Sequence, residues 1–377
     1  MKILFSCGSS SWGGLEMQIP LLARALRDRG HALTLLCPPD SVIAQEMSST
    51  GFPVLPLPGG KRHIAGNIVS VAHFLRGGRY DILHAHVSED IRVLSPARAL
   101  ACRDTPFFIT RHMGVKHARR DVLHRLLYRQ VRRIFAVSSY VADGVRAALP
   151  VPPDRVAVLP PGIDLNRFQP DRYDGAQARA ALGLDPGRPV VGMLGRITPM
   201  KGHAEFLEAV RRLRDGGRDV NFVVAGGCGD GDRERTYTEN IHALARRLGL
   251  ADAVRFIGFA PEPADVFAAL EVFVFPSHLE AFGLSLVEAM AMGLPAVACA
   301  AGGVLDIVED ERTGLLVPPG DPASLALAIG RLLDDPAGRI RLGHAARAAS
   351  PRWDIARIAA SHDAEYARAL AGAPVSA

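Results

Sequence analysis

Residues 2–37 decide the fold of the chain, and they read KILFSCGSSSWGGLEMQIPLLARALRDRGHALTLLC. A short apolar run over 2–7 leads into a loop rich in Gly and Ser. Apolar residues with helical spacing follow over 15–29, Gly30 ends that stretch, and a second apolar run occupies 31–37. Strand, glycine-rich loop, helix and strand in this order predict a βαβ unit with parallel strands.

The same alternation continues along the chain and is interrupted once. Further apolar runs of strand length, mostly separated by helical stretches, cover 82–85, 107–110, 134–137 and 156–159. Over 170–188 several Pro and Gly residues fall close together, which predicts an interdomain linker with one short helix. Strands are then predicted over 190–194, 220–225, 254–258, 272–276, 295–299 and 314–317, with helices over 204–216 and 236–248.

This pattern predicts an α/β protein made of two tandem, doubly wound, Rossmann-like domains. The first domain is expected over 1–169 and the second over 189–351, with a helical segment over 352–371 after them. Ligands of open parallel sheets bind beyond the carboxyl ends of the strands. We therefore expect a ligand in a central cleft between two facing domains.

The charge of the chain is unevenly distributed. The whole chain of 377 residues has a net charge of +5, but residues 1–185 carry a net +9 and residues 186–377 a net −4. Such an excess is typical of a nucleic-acid, acidic-substrate or anionic-membrane partner for the first half. Only four of the 44 cationic residues are Lys, so a general preference for surface Arg is the alternative.

Cysteine usage and hydropathy indicate a cytoplasmic protein. The five cysteines are far apart and never form a CxxC pair, which favours neither a disulfide framework nor a zinc site. The apolar run before Ser6 is too short for a signal-peptide core, and no segment approaches the roughly 20 apolar residues of a membrane span. We expect the protein to be soluble or to lie on a membrane surface.

The segment over 276–295, PSHLEAFGLSLVEAMAMGLP, carries the strongest chemical signal. A strand ends before it, Glu280 lies in a loop, and Gly283 precedes a helix that contains Glu288. The free N–H groups and the dipole of a helix start attract phosphate, and Gly283 permits close approach of the backbone. Glu280 and Glu288 are therefore candidates for contacts with sugar and ribose hydroxyls.

In this setting the segment resembles the signature of family 4 retaining glycosyltransferases (glycosyl transferases group 1) of the GT-B fold, in which two Glu residues are separated by seven positions. Further segments with the order and spacing of that family are VLPPGID over 158–164, GRITPMKG over 195–202, AGGVLDIV over 301–308 and TGLLV over 313–317. The chain departs from the family pattern at Pro161, where Asn is usual, and at Asp306, where Glu is usual. The resemblance covers most of the chain and is most specific over 156–334.

The resemblance implies transfer from a nucleoside-diphosphate sugar with retained configuration, a UDP-sugar being favoured and no metal or other cofactor being required. It implies catalytic roles for Glu280 at the donor sugar and for Arg196 and Lys201 at the departing diphosphate. The sequence supports the role of Arg196 and Lys201 without the resemblance, because their loop follows a strand and places two cations five residues apart, where they could hold a diphosphate by fixed charge. The remaining donor contacts that it implies are Gly195, Phe282, Gly283, Leu284 and Glu288.

Two other glycine loops follow strands. Gly13 and Gly14 resemble the family's loop near the donor phosphates or the acceptor, and Gly227 resembles its loop near the nucleotide. Neither loop has the spacing of a dinucleotide site. The only Asp-x-Asp pair, Asp230 and Asp232, is a candidate for a metal, with a solvated polar loop as the alternative.

Histidines follow two strands of the first domain. We expect His84 to pack in the core, although His84 and His86 could also be read as metal ligands without an evident third partner. His112 follows the strand over 107–110 and stands where the family often has a histidine beside the transferred sugar. It is the candidate for hydroxyl contact or proton handling.

The excess of positive charge concentrates in residues 111–133, with eight Lys or Arg and one acid. Leu and Tyr residues interleave with these cations, which predicts a basic amphipathic helix of the kind that binds membrane surfaces. No base-stacking pattern accompanies the charge, so nucleic acid is not expected as a partner. A solvated helix is the alternative.

Together these features predict a GT-B glycosyltransferase with the donor in the second domain and the acceptor in the first. The acceptor is expected to be a cell-envelope glycan or glycolipid, such as a lipopolysaccharide core, an exopolysaccharide or a lipid-linked sugar, reached at the inner face of the cytoplasmic membrane. The resemblance also implies that the last helix packs back on the first domain. A nucleotide-sugar epimerase and a non-catalytic nucleotide-sugar-binding protein are the alternatives.

Overall fold

The computed structural model describes residues 1–57, 63–101, 104–115, 117–228 and 231–372. Asp230 of the candidate metal pair lies outside these ranges, as do Cys102, one of the five cysteines, and Lys116, one of the eight cations over 111–133. The chain forms two compact units: the first comprises Met1–Ile163 together with the segment that begins at Trp353, and the second comprises Asp164–Arg352. The first unit has a net charge of +9 and the second of −4, so the charge asymmetry follows the units.

The first unit contains a sheet of seven parallel strands in the order β3-β2-β1-β4-β5-β6-β7. The strands are β1 (Lys2–Ser6), β2 (Ala32–Cys37), β3 (Val54–Pro56), β4 (Ile82–Ala85), β5 (Phe107–Arg111), β6 (Arg133–Ala136) and β7 (Val156–Val158). The helices between them are α1 (Gly14–Asp28), α2 (Val42–Ser49), α3 (Ile64–Gly78), α4 (Ile91–Ala101), α5 (Val122–Tyr128) and α6 (Ser139–Ala148). The central strands are buried along almost their whole length, because helices cover both faces of the sheet.

The second unit contains six parallel strands in the order β10-β9-β8-β11-β12-β13. They are β8 (Val190–Leu194), β9 (Asn221–Ala225), β10 (Val254–Gly258), β11 (Val272–Phe275), β12 (Ala296–Cys299) and β13 (Gly314–Val317). The helices are α7 (Gly175–Ala181), α8 (His203–Asp215), α9 (Asp232–Arg247), α10 (Pro263–Ala269), α11 (Leu284–Ala291), α12 (Pro322–Asp334) and α13 (Pro336–Ala349). Both units therefore have the doubly wound, Rossmann-like architecture that the sequence predicts.

The last helix, α14 (Ile355–Leu370), belongs to the first unit. The backbone N–H of Ile163 donates to the carbonyl of Trp353 at 2.8 Å, and the N–H of Ile355 donates to the carbonyl of Ile163 at 2.9 Å. Asp354 caps the helix by accepting from the N–H of Ala356. Helix α14 then packs against α1 and places Tyr366 in the apolar core of the first unit.

The structure differs from the sequence prediction at the linker. The segment over 170–188 is part of the second unit, because α7 packs against α10 and Arg179 forms an ion pair with Glu271. The units divide at Ile163 and Asp164, earlier than the predicted end of the first domain at 169. The sequence reading also missed the short edge strand β3 and its flanking helices, because β3 has only three residues and is only partly buried.

The first unit contains three buried histidines, His84, His86 and His362, and beside them the half-buried His112. Burial lowers the pKa of His84 and His86 well below the ordinary value, that of His112 to about 4, and that of His362 to about 3. Neutral imidazoles are therefore the folded form at neutral pH, because a cation would lose its hydration there.

These histidines predict that the first unit loses stability on mild acidification. Between about pH 6.5 and pH 4 the unfolded chain binds protons that the folded core does not, so the free energy of unfolding falls as the pH falls. Asp90 opposes this trend, because burial raises its pKa to about 6, but it offsets only one of these protons. Each remaining proton contributes a slope of about 1.4 kcal/mol per pH unit.

Denaturant unfolding at pH 7 and pH 5 checks this expectation by tryptophan fluorescence, since Trp12 and Trp353 both belong to the first unit and are the only tryptophans of the chain. His362→Phe should flatten the slope by about 1.4 kcal/mol per pH unit. His73→Phe, at an exposed position of α3, is the matched control and should leave the slope unchanged. Equal unfolding free energies at the two pH values would contradict the expectation.

Candidate active site

Most of the sequence-predicted residues follow the strands at which each sheet changes direction of winding. In the first unit this point lies between β1 and β4, and in the second between β8 and β11. Adjacent parallel strands that lead into oppositely placed helices leave a crevice beyond their carboxyl ends, and ligands bind there. Gly13, Gly14 and His112 belong to the first unit, whereas the other nine predicted residues belong to the second.

In the second unit, the loops after β8 and β11 bring Lys201 and Glu280 together. Lys201 Nζ and Glu280 Oε2 form an ion pair although the residues are 79 positions apart in sequence. Lys201 Nζ also lies 5.7 Å from the ring centroid of Phe275, at the end of β11. The side chains of Lys201 and Glu280 are 28% and 17% exposed, so a ligand can reach both and could replace either one in the ion pair.

Backbone contacts hold the two loops in register. The N–H of His278 donates to the carbonyl of Met200 at 2.9 Å. Gly202 has φ +72°, and a Cβ there would collide with the carbonyl oxygen of Pro276. The N–H of Gly303 donates to the carbonyl of Glu280 at 2.8 Å. The position of the Lys201–Glu280 pair is therefore set by the main chain rather than by the side chains alone.

Helix α11 begins directly after this loop. Gly283 occupies the cap position with φ +121°, a conformation that favours glycine, and no side chain caps the helix. The N–H groups of Leu284 and Ser285 have no intrahelical acceptor, whereas the N–H of Leu286 already donates to the carbonyl of Gly283; the two free groups form a site suited to an anion. Phe282, before the cap, is buried.

Glu288 lies in the second turn of α11. Its side chain is half-buried, and burial raises its pKa to about 7, with Arg167 acting in the opposite direction. No hydrogen bond or ion pair joins this carboxyl group to the described residues. It is thus available to accept hydrogen bonds from a ligand.

The loops after β8 and β9 also approach each other closely. A Cβ at Gly226 would overlap the carbonyl oxygen of Gly195, and the N–H of Ile197 donates to the carbonyl of Gly227 at 3.1 Å. Arg196 extends from this junction as an exposed side chain without a hydrogen bond or ion pair to the described residues. Its guanidinium is therefore uncommitted and can pair with an anionic ligand.

In the first unit, the glycine-rich loop is held by a residue that the sequence analysis missed. Asp90 is buried, and its Oδ2 accepts from Ser6 Oγ at 2.6 Å and from the N–H of Gly8 at 3.0 Å. The loop then reaches Gly13, the cap of α1, and Gly14, its first residue. In the sequence, the only feature that could have pointed to Asp90 is that an acidic residue follows the buried strand β4 closely.

His112 follows β5, is half-buried and lies beside the buried His86. Its ring centroid is 5.9 Å from that of His86, and Arg111 adds to the lowering of its pKa by burial. His84 bonds through both ring nitrogens, to Tyr366 Oη at 2.6 Å and to Thr110 Oγ1 at 2.8 Å. His84 is thus a core residue with satisfied nitrogens.

The predicted basic helix over 111–133 is wrong as a single element. Strand β5 ends at Arg111, helix α5 covers only Val122–Tyr128, and β6 begins at Arg133. Asp121 starts the helix by accepting from the N–H of His124 at 3.1 Å. Arg133 is buried and pairs with Glu365 of α14 at 3.0 Å, so part of the charge is structural.

The described residues contain neither a candidate metal site nor a candidate membrane-spanning helix. Within them, no group of three or more His, Cys, Asp or Glu side chains has the arrangement of a metal site. In the same ranges, no helix is long and apolar enough to cross a bilayer. The four cysteines described are free thiols.

The chain matches two protein families along most of its length. Residues 12–167 match Glycosyltransferase Family 4, and residues 174–349 match Glycosyl transferases group 1. A D-inositol 3-phosphate glycosyltransferase from Catenulispora acidiphila is 31% identical over 96% of this chain and 92% of its own. A protein of the same name from Streptomyces scabiei is 32% identical over 93% of this chain and 86% of its own.

Solved structures agree with these matches. A glycosyltransferase from Rickettsia africae superposes with a TM-score of 0.88 at 20% identity, covering 98% of both chains. Anabaena HepE, solved in complex with UDP and glucose, superposes with a TM-score of 0.85 at 25% identity, covering 97% of this chain and 99% of that one. The chain therefore belongs to the family 4 and group 1 glycosyltransferases and has the GT-B fold.

Proposed function

We propose that the protein transfers a sugar from a UDP-sugar to a phosphorylated polyol, with retention of configuration at the anomeric carbon. The main support for binding of a nucleotide-sugar donor is that Lys201, Glu280 and the start of α11 all lie at the crevice of the second unit. The similarity to HepE, whose structure contains UDP and glucose, supports a uridine donor.

The donor phosphates would be neutralised by side chains and backbone of the second unit. Arg196 and Lys201 supply two cations, and the N–H groups of Leu284 and Ser285 supply hydrogen-bond donors with the helix dipole behind them. Positive charge fixed in place before reaction stabilises a departing diphosphate without reorganisation. A metal ion is not needed in this scheme.

Other residues would orient the reacting groups. Glu280 accepts from hydroxyls of the donor sugar once the diphosphate has drawn Lys201 away, and Glu288 accepts from the ribose. Gly195 and Gly227 allow the backbone to approach the nucleotide. His112 contacts sugar hydroxyls, and Gly13 and Gly14 line the loop nearest the phosphates or the acceptor. Attack on the same face as the leaving group would retain configuration, with the departing phosphate accepting the proton of the acceptor hydroxyl.

The acceptor is proposed from charge and from the names of relatives. The first unit carries the net +9, and relatives that cover most of the chain are named for D-inositol 3-phosphate. A phosphorylated polyol satisfies both observations. It replaces the lipopolysaccharide core as the first acceptor to test, although an anionic cell-envelope glycan shares the same chemistry.

The donor site predicts opposite effects for the two members of the ion pair. Lys201→Ala or Arg196→Ala should weaken UDP binding about ten- to a hundred-fold, because each removes a charge-assisted hydrogen bond to phosphate. Glu280→Gln should not weaken UDP binding, since it frees Lys201, but should reduce transfer about ten- to a hundred-fold, because the sugar hydroxyls lose an ionised acceptor. Calorimetric titration with UDP and a turnover assay measure both.

Arg341→Ala is the control for these variants, because Arg341, like Arg196, is exposed, but it lies on α13 and follows no strand. It should leave UDP affinity unchanged. Weaker UDP binding by Glu280→Gln, or unchanged binding by Lys201→Ala, would refute the assignment of the pair.

Product analysis distinguishes the proposed reaction from its alternatives. Incubation with UDP-glucose or UDP-N-acetylglucosamine and D-inositol 3-phosphate should give a disaccharide-like phosphate with the anomeric configuration of the donor, detectable by mass and by proton NMR coupling. Unphosphorylated inositol is the matched control and should react poorly. If the sugar of the donor is epimerised in the absence of an acceptor, the protein is a nucleotide-sugar epimerase. If the donor binds and no sugar is transferred, the protein is a non-catalytic nucleotide-sugar-binding protein.

We further propose a peripheral contact with an anionic membrane through α5. Val122, Leu123 and Leu126 are 82%, 58% and 58% exposed, and Arg120, Arg125 and Arg129 are exposed around them. Apolar side chains of a short helix, with one cation on the helix and others just before and after it, suit the interface of an anionic bilayer. This contact would hold the enzyme near lipid-linked acceptors.

Vesicle sedimentation tests the contact. The protein should bind vesicles that contain phosphatidylglycerol at low salt and release them as the salt concentration rises. Leu123→Ser with Leu126→Ser should reduce the bound fraction several-fold, whereas Leu327→Ser, at a position 76% exposed in the second unit, should not. Equal binding by all three proteins, or none by the wild type, would exclude this surface.

A further inference from the structure

A small cavity lies in the first unit beyond the carboxyl ends of β4 and β5. Its volume is about 20 Å³. The polar part of its lining comes from three histidines, one threonine and one glutamine, and the apolar part includes Pro161 and Ile358. Helix α14 contributes His362 to this lining, so the last helix of the chain reaches the surroundings of His112.

Several nitrogen atoms around this cavity have no protein partner. His86 Nδ1 and Nε2, His112 Nε2 and His362 Nδ1 are buried, and none makes a hydrogen bond within the described part of the chain. A buried polar group without a partner costs about 1–3 kcal/mol. Because these four atoms belong to residues that line one cavity, a single ligand in it could form hydrogen bonds with all of them.

The chemistry of the lining restricts that ligand. A neutral imidazole offers one donor and one acceptor, so the ligand must also both donate and accept hydrogen bonds. A cavity needs about 10–15 Å³ to hold a water molecule, and the water needs two to four polar partners. A volume of about 20 Å³ therefore accommodates one or two water molecules.

The spacing of the rings agrees with bridging by water. The centroids of His86 and His112 are 5.9 Å apart, too far for a direct hydrogen bond between the rings. Two hydrogen bonds of about 2.8 Å each through an intervening oxygen span such a separation. His84 is excluded from this role because its nitrogens already bond to Tyr366 and Thr110.

We propose that the cavity binds one or two water molecules that join His86, His112 and His362, and that His362 is thereby a positioning residue for the tautomer of His112. The consequence for catalysis rests on the proposed function of His112, but the water site itself does not. Through the bound water, the hydrogen-bonding state of His362 selects which nitrogen of His112 carries the proton, and hence which atom it presents to a hydroxyl group.

NMR of protein labelled with ¹⁵N at histidine tests the proposal without substrate. Wild-type His112 should show a single neutral tautomer, with exchange cross-peaks to a long-lived water. His362→Phe, which fills the cavity and removes the partner, should change the tautomer or give a mixture. His362→Gln keeps a donor and an acceptor and should restore the wild-type signals.

Turnover provides the second readout. His362→Phe should lower kcat about ten-fold or more with unchanged KM for the UDP-sugar, and His362→Gln should recover most of the loss. Should His362→Phe fail to fold, His86→Gln and a high-resolution crystal structure of the wild type take its place. A dry cavity in that structure, or unchanged His112 signals in a folded His362→Phe, overturns the proposal. An inactive wild type would count against the proposed function alone, since the NMR and crystallographic readouts need no substrate.

Discussion

The pairing of β8 with β11 is the constraint on which the donor side depends. Val191 lies opposite Val272 although about eighty residues separate them, and both strands run in the same direction. Their following loops therefore emerge at one edge of the sheet, where Lys201 meets Glu280. The pairing of β1 with β4 has the same effect in the first unit, where it brings Asp90 to the glycine-rich loop.

The sequence predicts those parts of the fold and site that depend on neighbouring residues. Continuous apolar runs identified the buried strands, because both faces of each sheet are covered. The glycine and glutamate spacing of the segment over 276–295 likewise indicated a glycosyltransferase, which the family matches confirm. The individual site roles stay predictions.

Features set by distant contacts were not predictable in this way. Asp90 fixes the glycine-rich loop through hydrogen bonds that include one from Ser6, 84 residues away. Tyr366 is held in the core by its hydrogen bond with His84, 282 residues away. The single helix expected over 111–133 failed for a related reason, since composition does not reveal that Arg111 and Arg133 end and begin strands. The pH dependence of stability also differs between the units. In the first, the lowered pKa values of the histidines outweigh the raised pKa of Asp90, whereas in the second the lowered pKa of His203 and the raised pKa of Glu288 oppose each other.

The first unit is assembled from both ends of the sequence, and this affects folding during synthesis. The second unit is one continuous segment and can complete its core once residue 352 has left the ribosome. The first unit must wait for α14, because Tyr366 fills its core and bonds to His84. Domains usually fold in the order in which they are translated. Here the later-translated unit would reach its native state first, and the earlier one would remain incomplete until α14 has left the ribosome, exposed to chaperones over that interval.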